Sequence, residues 1–207
     1  MQLRFNADGV VKSGLAANIA GLVAKCASSD EPEALAGLAT AKALMEGAPL
    51  SESFTKECLG SCLIQSMHKS PAVKEAAKDT ATAICEKISP FALKSLLPML
   101  FSSLVVEKKW QERVLALECI SLFNKTAPRQ LGNALPEIVP EVTACMWDTK
   151  KQVKTASTDA MRSACEVIGN KDIEHMNTKI ITAITKPKEV PEIMHELAGV
   201  TFVQSVE

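Results

Sequence analysis

The sequence contains no tyrosine, only two tryptophans and six phenylalanines, so that aromatic residues make up 4% of its 207 residues. Glycine and proline are also scarce, with 9 and 10 residues. Because 47% of the residues are hydrophobic and 23% are charged, the composition is that of a folded chain and excludes a disordered or low-complexity one. Ala, Leu, Ile, Val, Lys and Glu dominate, and this set favours helices.

An excess of basic charge is also missing, since the formal net charge is −1. Any contact with nucleic acid must therefore come from a local patch. No apolar run is long enough to span a membrane. Asp8 and Lys12 interrupt the N-terminal segment where a signal peptide would need an apolar stretch. We therefore expect a cytoplasmic chain with no membrane partner.

The seven cysteines show no disulfide framework, and their odd number fits reduced thiols of the cytosol or nucleus. We expect all of them on apolar helix faces: Cys26, Cys58, Cys62, Cys85, Cys119, Cys145 and Cys165. Cys58 and Cys62 are four residues apart on a predicted helix near His68, a spacing that could bind zinc. No second pair completes such a site, and a buried free cysteine behaves as a small apolar residue. We predict no metal site.

Catalytic motifs are absent as well. Gly9 and Gly14 have the spacing of a phosphate-binding loop, but Leu15 and Ala16 follow where Lys and Ser or Thr are needed. His175 and His195 each lie near a carboxylate without a paired nucleophile, which is typical of an ordinary helix surface. The neighbours Glu112 and Arg113 are likewise predicted to form ordinary surface charge pairs. We therefore predict no catalytic residue and no small-molecule substrate.

An internal repeat is the most informative feature of the sequence. Val73–Ile88 and Val153–Ile168 are offset by 80 residues and are identical at seven of sixteen positions. A shift of 40 gives a weaker match in the same phase. Self-similarity at this period is typical of a repeat architecture in which each unit is one supersecondary element.

Apolar residues at helical spacing predict a pair of helices in each repeat, and no segment alternates as a strand would. The predicted pairs are 10–26 with 32–46, 51–67 with 71–87, 91–105 with 110–125, 134–147 with 152–168, and 171–185 with 190–206. Turn residues mark the breaks between repeats: Gly47, Pro49, Ser89, Pro90, Pro128, Gly132, Gly169, Asn170, Pro187 and Pro191.

Helix pairs at this period indicate an all-α, α-α superhelix of the HEAT or armadillo class, and the finer pattern favours HEAT. Pro98 and Pro140 fall within first helices, and Pro136 would be tolerated in a first turn, where N–H groups are spare. Asp148 then falls between the helices of one pair. We predict a single domain over 1–207 with about five helical hairpins, approximately at 8–46, 51–88, 91–126, 133–169 and 171–206.

One stretch goes beyond a general HEAT pattern. The run MWDTKKQVK at 146–154, followed by NKDIE at 170–174 and EVPE at 189–192, resembles the N-terminal HEAT region of the translation elongation factor 3 family. The segment ISPFALKSLLPMLFSSLVVEKKWQE, which begins at Ile88, also looks like this region. The resemblance is strong from about Ile88 to the end, whereas only helical repeat character persists before it.

The resemblance implies a cytosolic protein that binds the ribosome through small-subunit rRNA and proteins. In that family the HEAT domain docks on the small subunit, and two ATPase modules drive release of deacylated tRNA from the exit site. The ATP and magnesium belong to those modules, whose motifs this sequence lacks, so we expect no cofactor in this chain. The chain would be an excised domain or a short paralogue. Glu207 carries no helix stop signal, which suggests that more repeats follow.

The candidate contact residues lie in corresponding turns of repeats three and four. Such turns line up along one edge of a solenoid, where lysines could hold phosphates and a tryptophan could stack on a base. In the alternative interpretation, the lysines form a solvated rim and the tryptophans cap the apolar core. The candidates are Lys108, Lys109, Trp110, Trp147, Lys150, Lys151 and Lys154, with Lys186 and Lys188 in repeat five.

Two other functions remain open at this point. Tubulin-binding TOG-like modules are also HEAT arrays with Trp and Lys in the turns, although their Trp typically belongs to the first repeat. A larger HEAT regulator that senses stalled ribosomes could share an elongation-factor-3-like segment.

Overall fold

The computed structural model describes residues 15–47, 52 and 56–167, all within one compact unit that ends at Val167. These residues contain helices and turns and no β-strand, so the all-α prediction is confirmed. The fifth predicted repeat, with His175, Lys186, His195 and Lys188, lies outside the described residues. The helices are α1 Leu15–Cys26, α2 Glu31–Gly47, α3 Cys58–Gln65, α4 Pro71–Lys87, α5 Leu93–Ser102, α6 Trp110–Thr126, α7 Pro128–Met146 and α8 Lys151–Glu166.

The helices form four hairpins in two layers. The second helices of the hairpins contact one another in chain order, α2 against α4, α4 against α6 and α6 against α8. The first helices form the other layer, in which α1 contacts α3 and α5 contacts α7. Because no hairpin can bury its apolar side alone, each hairpin is stabilised by its neighbours.

The core is continuous from the first hairpin to the fourth. First helices contribute large side chains such as Leu63, Leu97 and Leu131, each of which is almost fully buried. The second helices bury many alanines, which let neighbouring backbones approach closely: Ala34, Ala41, Ala77, Ala81, Ala116, Ala160 and Ala164. At Gly37 of α2 a Cβ atom would lie 2.7 Å from the backbone nitrogen of Cys26, so the contact between α1 and α2 requires glycine there.

Polar bonds between successive hairpins join residues about 40 positions apart and fix the register of the stack. The Thr80 hydroxyl donates to the Leu38 carbonyl at 3.2 Å, and the Ser163 hydroxyl donates to the Ser121 carbonyl at 2.9 Å. On the surface, Lys78 forms an ion pair with Glu118 at 2.8 Å. The repeat length of about 40 residues found in the sequence therefore matches the separation along the chain of the residues that these bonds join.

The predicted break between the third and fourth hairpins is present but is limited to Ala127, because α7 starts at Pro128 and continues through Gly132. Pro128 occupies the first helical turn, where its missing N–H leaves no bond unmade. Pro136 and Pro140 lie in the helix interior, so Pro136 is not in a first turn as predicted. Both are exposed, and water can therefore reach the carbonyl groups that their missing N–H groups leave unpaired.

The prediction that all cysteines lie on apolar faces holds for six of them and is wrong for Cys165, which is exposed. Cys58 and Cys62 are both fully buried. The thiols of Cys26 and Cys58 are hydrogen bonded to each other, which raises the pKa of Cys26 and lowers the pKa of Cys58. His68 instead contacts the backbone of Ser29 and Ser70, at 3.3 and 3.1 Å.

Candidate functional site

The turn of the fourth hairpin is attached to α6 by a buried ion pair. The Asp148 carboxylate pairs with the Arg113 guanidinium, and the side chains of both residues are only 6% exposed. The other Asp148 oxygen accepts the Lys150 N–H at 2.6 Å. Burial raises the pKa of Asp148, but the Lys150 N–H and the Arg113 guanidinium outweigh burial and hold the pKa below its ordinary value. The turn is therefore a rigid extension of the helix stack.

The turn of the third hairpin is attached in a similar way to the first turn of α6. Glu112 is 1% exposed, and its Oε1 accepts the Ser103 hydroxyl at 3.0 Å. The same oxygen forms an ion pair with Lys108 Nζ at 3.1 Å. The prediction that Glu112 and Arg113 are ordinary surface charges is wrong, since each is buried and anchors a turn.

Between these two turns lies a groove of about 540 Å³, which we call the turn groove. It brings together candidate residues from two repeats, so Trp110 and Trp147 lie on the same flank of the stack. The residues that line the turn groove include Val106, Lys108, Lys109, Trp110, Gln111, Arg113, Trp147, Asp148 and Lys150.

The aromatic side chains of the turn groove differ in exposure. Trp147 is 84% exposed, and Val106, which lines the same groove, is 79% exposed. Trp147 therefore does not cap the core, as the alternative interpretation required. Trp110 is 37% exposed, so part of it packs in the protein and part faces the groove. Exposed apolar side chains that share one concave surface are typical of a contact site.

The electrostatic character of the turn groove is positive. Lys108, Lys109, Lys150 and Arg113 line it, whereas Asp148 is the only carboxylate among its lining residues and is already paired with Arg113. Within residues 15–47, 52 and 56–167, neither Lys109 nor Lys150 takes part in an ion pair. The groove therefore has free positive charge in a chain whose net charge is −1.

The predicted row of lysines divides at the start of α8. Lys151 lines a separate groove of about 660 Å³ between α4, α6 and α8, together with Leu122 and Asp159. Lys154 is exposed but lines neither groove. Of Lys150, Lys151 and Lys154, only Lys150 lines the turn groove with Trp147, because the residues after Lys150 lie in α8 and their side chains face other directions.

Trp110 also borders a third, smaller cavity of about 170 Å³ on the α4 side of α6, together with Gln111 and Lys74. The Oε1 atom of Gln111 is buried and has no hydrogen-bond partner within the described part of the chain. Sequence reasoning missed Gln111, Val106 and Arg113. The signal for Val106 and Gln111 was their position next to the lysine and tryptophan run.

Other kinds of site find no support in the described residues. No group of three His, Cys, Asp or Glu side chains is placed to hold a metal ion there. Among the helices described, none combines the length and the apolar character that crossing a membrane requires.

Comparison with known proteins gives a match to a family model. The model of the EF3 N-terminal HEAT repeat matches residues 7–161. Elongation factor 3 of Phytophthora infestans is 43% identical over 139 residues, which are 67% of this chain and 13% of that protein. Elongation factor 3A of Saccharomyces cerevisiae is 34% identical over 186 residues, covering 90% of this chain and 18% of that protein.

The chain thus spans less than a fifth of the length of these relatives. Among solved structures, Kap121p matches 86% of this chain and 18% of its own with a TM-score of 0.53 at 17% identity. At that identity the likeness supports the helical solenoid fold alone. The match to the family model covers more than half of the chain, and the chain therefore belongs to the EF3 N-terminal HEAT repeat family.

Proposed function

We propose that this chain is the ribosome-binding HEAT scaffold of an elongation factor 3-like protein and docks on the small subunit through the turn groove. The observation that carries the proposal is the free positive charge of Lys109 and Lys150 beside the exposed Trp147, all in one groove. The ribosome surface is largely rRNA, whose phosphates attract such a patch. The matched relatives carry the name elongation factor 3, which favours the ribosome over tubulin as the partner.

In this scaffold role, this chain would bind the ribosome and the ATPase domains of the family would hydrolyse ATP. Docking would hold those domains at the ribosome, where ATP hydrolysis supports release of tRNA from the exit site. ATP and magnesium would bind to those domains, because this sequence has no phosphate-binding loop. The chain would therefore bind ribosomes in the cytoplasm without hydrolysing ATP itself. A rigid turn suits this role, since less conformational entropy is lost on binding.

The test is co-sedimentation of the 207-residue chain with ribosomes and with separated small subunits at increasing salt. We expect binding that weakens steeply with salt, because neutralised phosphates release counterions. Charge reversal by Lys109→Glu with Lys150→Glu should abolish it while helicity by circular dichroism stays unchanged. The matched control is Lys94→Glu with Lys125→Glu, the same charge change at two exposed positions outside the grooves.

Two results would count against the proposal. Full binding by the Lys109→Glu, Lys150→Glu variant would remove the turn groove as the docking site. If further reversal of Lys108, Lys151 and Lys154 also left binding intact, no described lysine of the predicted row would be required. Failure of the unaltered chain to bind either ribosomes or small subunits would remove the function itself.

A further inference from the structure

We infer that the turn groove binds an unpaired stretch of RNA, whose bases stack on Trp147 and Trp110 while its phosphates contact Lys109 and Lys150. This inference rests on the proposed function and specifies the ligand of the same site. A duplex region of rRNA would contact the lysines alone, because its bases are paired and cannot stack on a tryptophan. A single strand would use both the charge and the aromatic faces.

Trp147 has the properties of a stacking platform. Its ring is 84% exposed, which leaves a large apolar face in water until a ligand covers it. Its backbone is held in place, because the N–H groups of Trp147 and Asp148 donate to Ala144 and Cys145 at 3.4 and 3.1 Å. The next side chain, Asp148, is buried against Arg113. The backbone of the platform is therefore ordered before binding, so that only the rotamer freedom of the Trp147 side chain is lost when a base stacks on it.

Trp110 extends the contact surface to the neighbouring repeat. It borders the turn groove on one side and the smaller cavity beside Lys74 on the other. Trp110 begins α6 and Trp147 follows the end of α7, so the two rings belong to different repeats and both line the turn groove. Each tryptophan can therefore take a separate base. The track thus runs across repeats two, three and four.

The phosphate contacts come from the two lysines that have no ion pair in the described residues, Lys109 and Lys150. They lie in the turns on either side of the groove, which is lined by both tryptophans. Lys108 is already paired with Glu112 and contributes less. An acidic protein segment could also contact the lysines, but it would not need an exposed tryptophan beside them.

The experiment measures binding of three probes to the 207-residue chain: a single-stranded oligoadenylate, an RNA duplex of the same length and an acidic peptide of matched charge. The sequence has two tryptophans and no tyrosine, so Trp110→Phe leaves Trp147 as the one strong fluorophore. We expect oligoadenylate to quench its fluorescence and to bind more tightly than the duplex. The acidic peptide should bind weakly without quenching.

Variants separate stacking from charge. Trp147→Ala should weaken oligoadenylate binding about tenfold, as expected for the loss of one stacked base, and Trp147→Phe should restore most of it. The peptide affinity should not change in either variant. Lys109→Glu with Lys150→Glu should weaken every probe.

Equal binding of duplex and single strand, or unchanged oligoadenylate affinity in Trp147→Ala, would overturn the inference. Tighter binding of the acidic peptide would assign the groove to a protein segment instead. These failures are distinct from failure of the proposed function. Ribosome binding that depends on Lys109 and Lys150 but not on Trp147 would preserve docking and remove base stacking.

Discussion

The turns of the first two hairpins and those of the last two described hairpins occupy equivalent places, but different interactions join them. Between the first two, Gln65 Nε2 donates to the Cys26 and Ser28 carbonyls at 2.9 and 2.6 Å, and the Ser70 hydroxyl donates to Glu31 at 2.6 Å. Between the last two, a single buried ion pair, Arg113 with Asp148, holds the turns. At the first interface the polar side chains bond to backbone carbonyls and to one another, whereas the second interface also presents the exposed Trp147 beside its lysines.

This difference indicates how a binding site is added to a repeat scaffold. A network of polar side chains connects the first two turns. These turns contain no tryptophan, although Lys69 in the second turn is exposed and has no ion pair among the described residues. An arginine that reaches across the repeat boundary needs only one carboxylate, so the rest of the turn can face solvent. The buried ion pair therefore fixes the turn, while the Ser163–Ser121 bond and the apolar core also join the two hairpins. Trp147, Lys109 and Lys150 do not belong to that pair.

The largest expected effect comes from breaking the ion pair. Asp148→Ala leaves the Arg113 guanidinium buried without a countercharge, which should lower the free energy of unfolding by about 3–5 kcal/mol. Urea unfolding followed by circular dichroism measures the change. Because the folded pKa of Asp148 is lowered, its contribution is present above the ordinary value of 3.8 and is lost as pH falls through the folded pKa. Equal stabilities of the two proteins at neutral pH would contradict a structural role for the pair.

A smaller effect is expected for Gly37→Ala, near the first interface. The new Cβ would lie 2.7 Å from the Cys26 nitrogen and 2.8 Å from the Lys25 carbonyl carbon. Backbone atoms of α1 must then move, so the free energy of unfolding should fall by about 1–3 kcal/mol. Gly132→Ala is the matched control, since its Cβ would make an ordinary contact with Val167 at 3.5 Å. The free energy of unfolding of Gly132→Ala should equal that of the unaltered chain or exceed it by up to about 1 kcal/mol.

Gln65→Ala tests the polar closure of the first interface. It removes the donor from two carbonyl groups at the end of α1, which should cost about 1–2 kcal/mol of unfolding free energy. Thermal or urea unfolding gives the value. Ribosome binding should be unaffected, because the turn groove lies at the other interface. A loss of binding in Gln65→Ala without unfolding would show that the two interfaces are not independent.

The smallest effect on stability is expected for Trp147→Ala. A side chain that is 84% exposed contributes little to packing, so the change in unfolding free energy should be under about 0.5 kcal/mol. Binding should nevertheless be weakened, which separates recognition from folding at this interface. A large loss of stability in Trp147→Ala would mean that the ring supports the fold, and its role as a free platform would be wrong.

The second helices were predictable from the sequence because their small and apolar residues recur at helical spacing. The predicted 71–87 and 110–125 differ from α4 and α6 by at most one residue at either end. First helices were less predictable, since proline and glycine at solvent-facing positions resemble breaks, as at Pro128 and Gly132. Water can reach the backbone there, so the helix continues despite these residues.

The candidate site was predictable only in part. The lysine and tryptophan runs identified the two turns, because both runs are adjacent in sequence. The pairing of Arg113 with Asp148 was not predictable, since it depends on the register between two repeats and not on local spacing. The separation of Lys150 from Lys151 was also not predictable, because the exact residue at which α8 starts fixes which side chain faces the turn groove.

Docking through the turn groove is tested most directly by ribosome co-sedimentation of the Lys109→Glu, Lys150→Glu variant beside the Lys94→Glu, Lys125→Glu control. The first variant should remain in the supernatant, while the control should pellet with ribosomes as the unaltered chain does. Equal pelleting of both variants would contradict the claim that the turn groove is the docking surface.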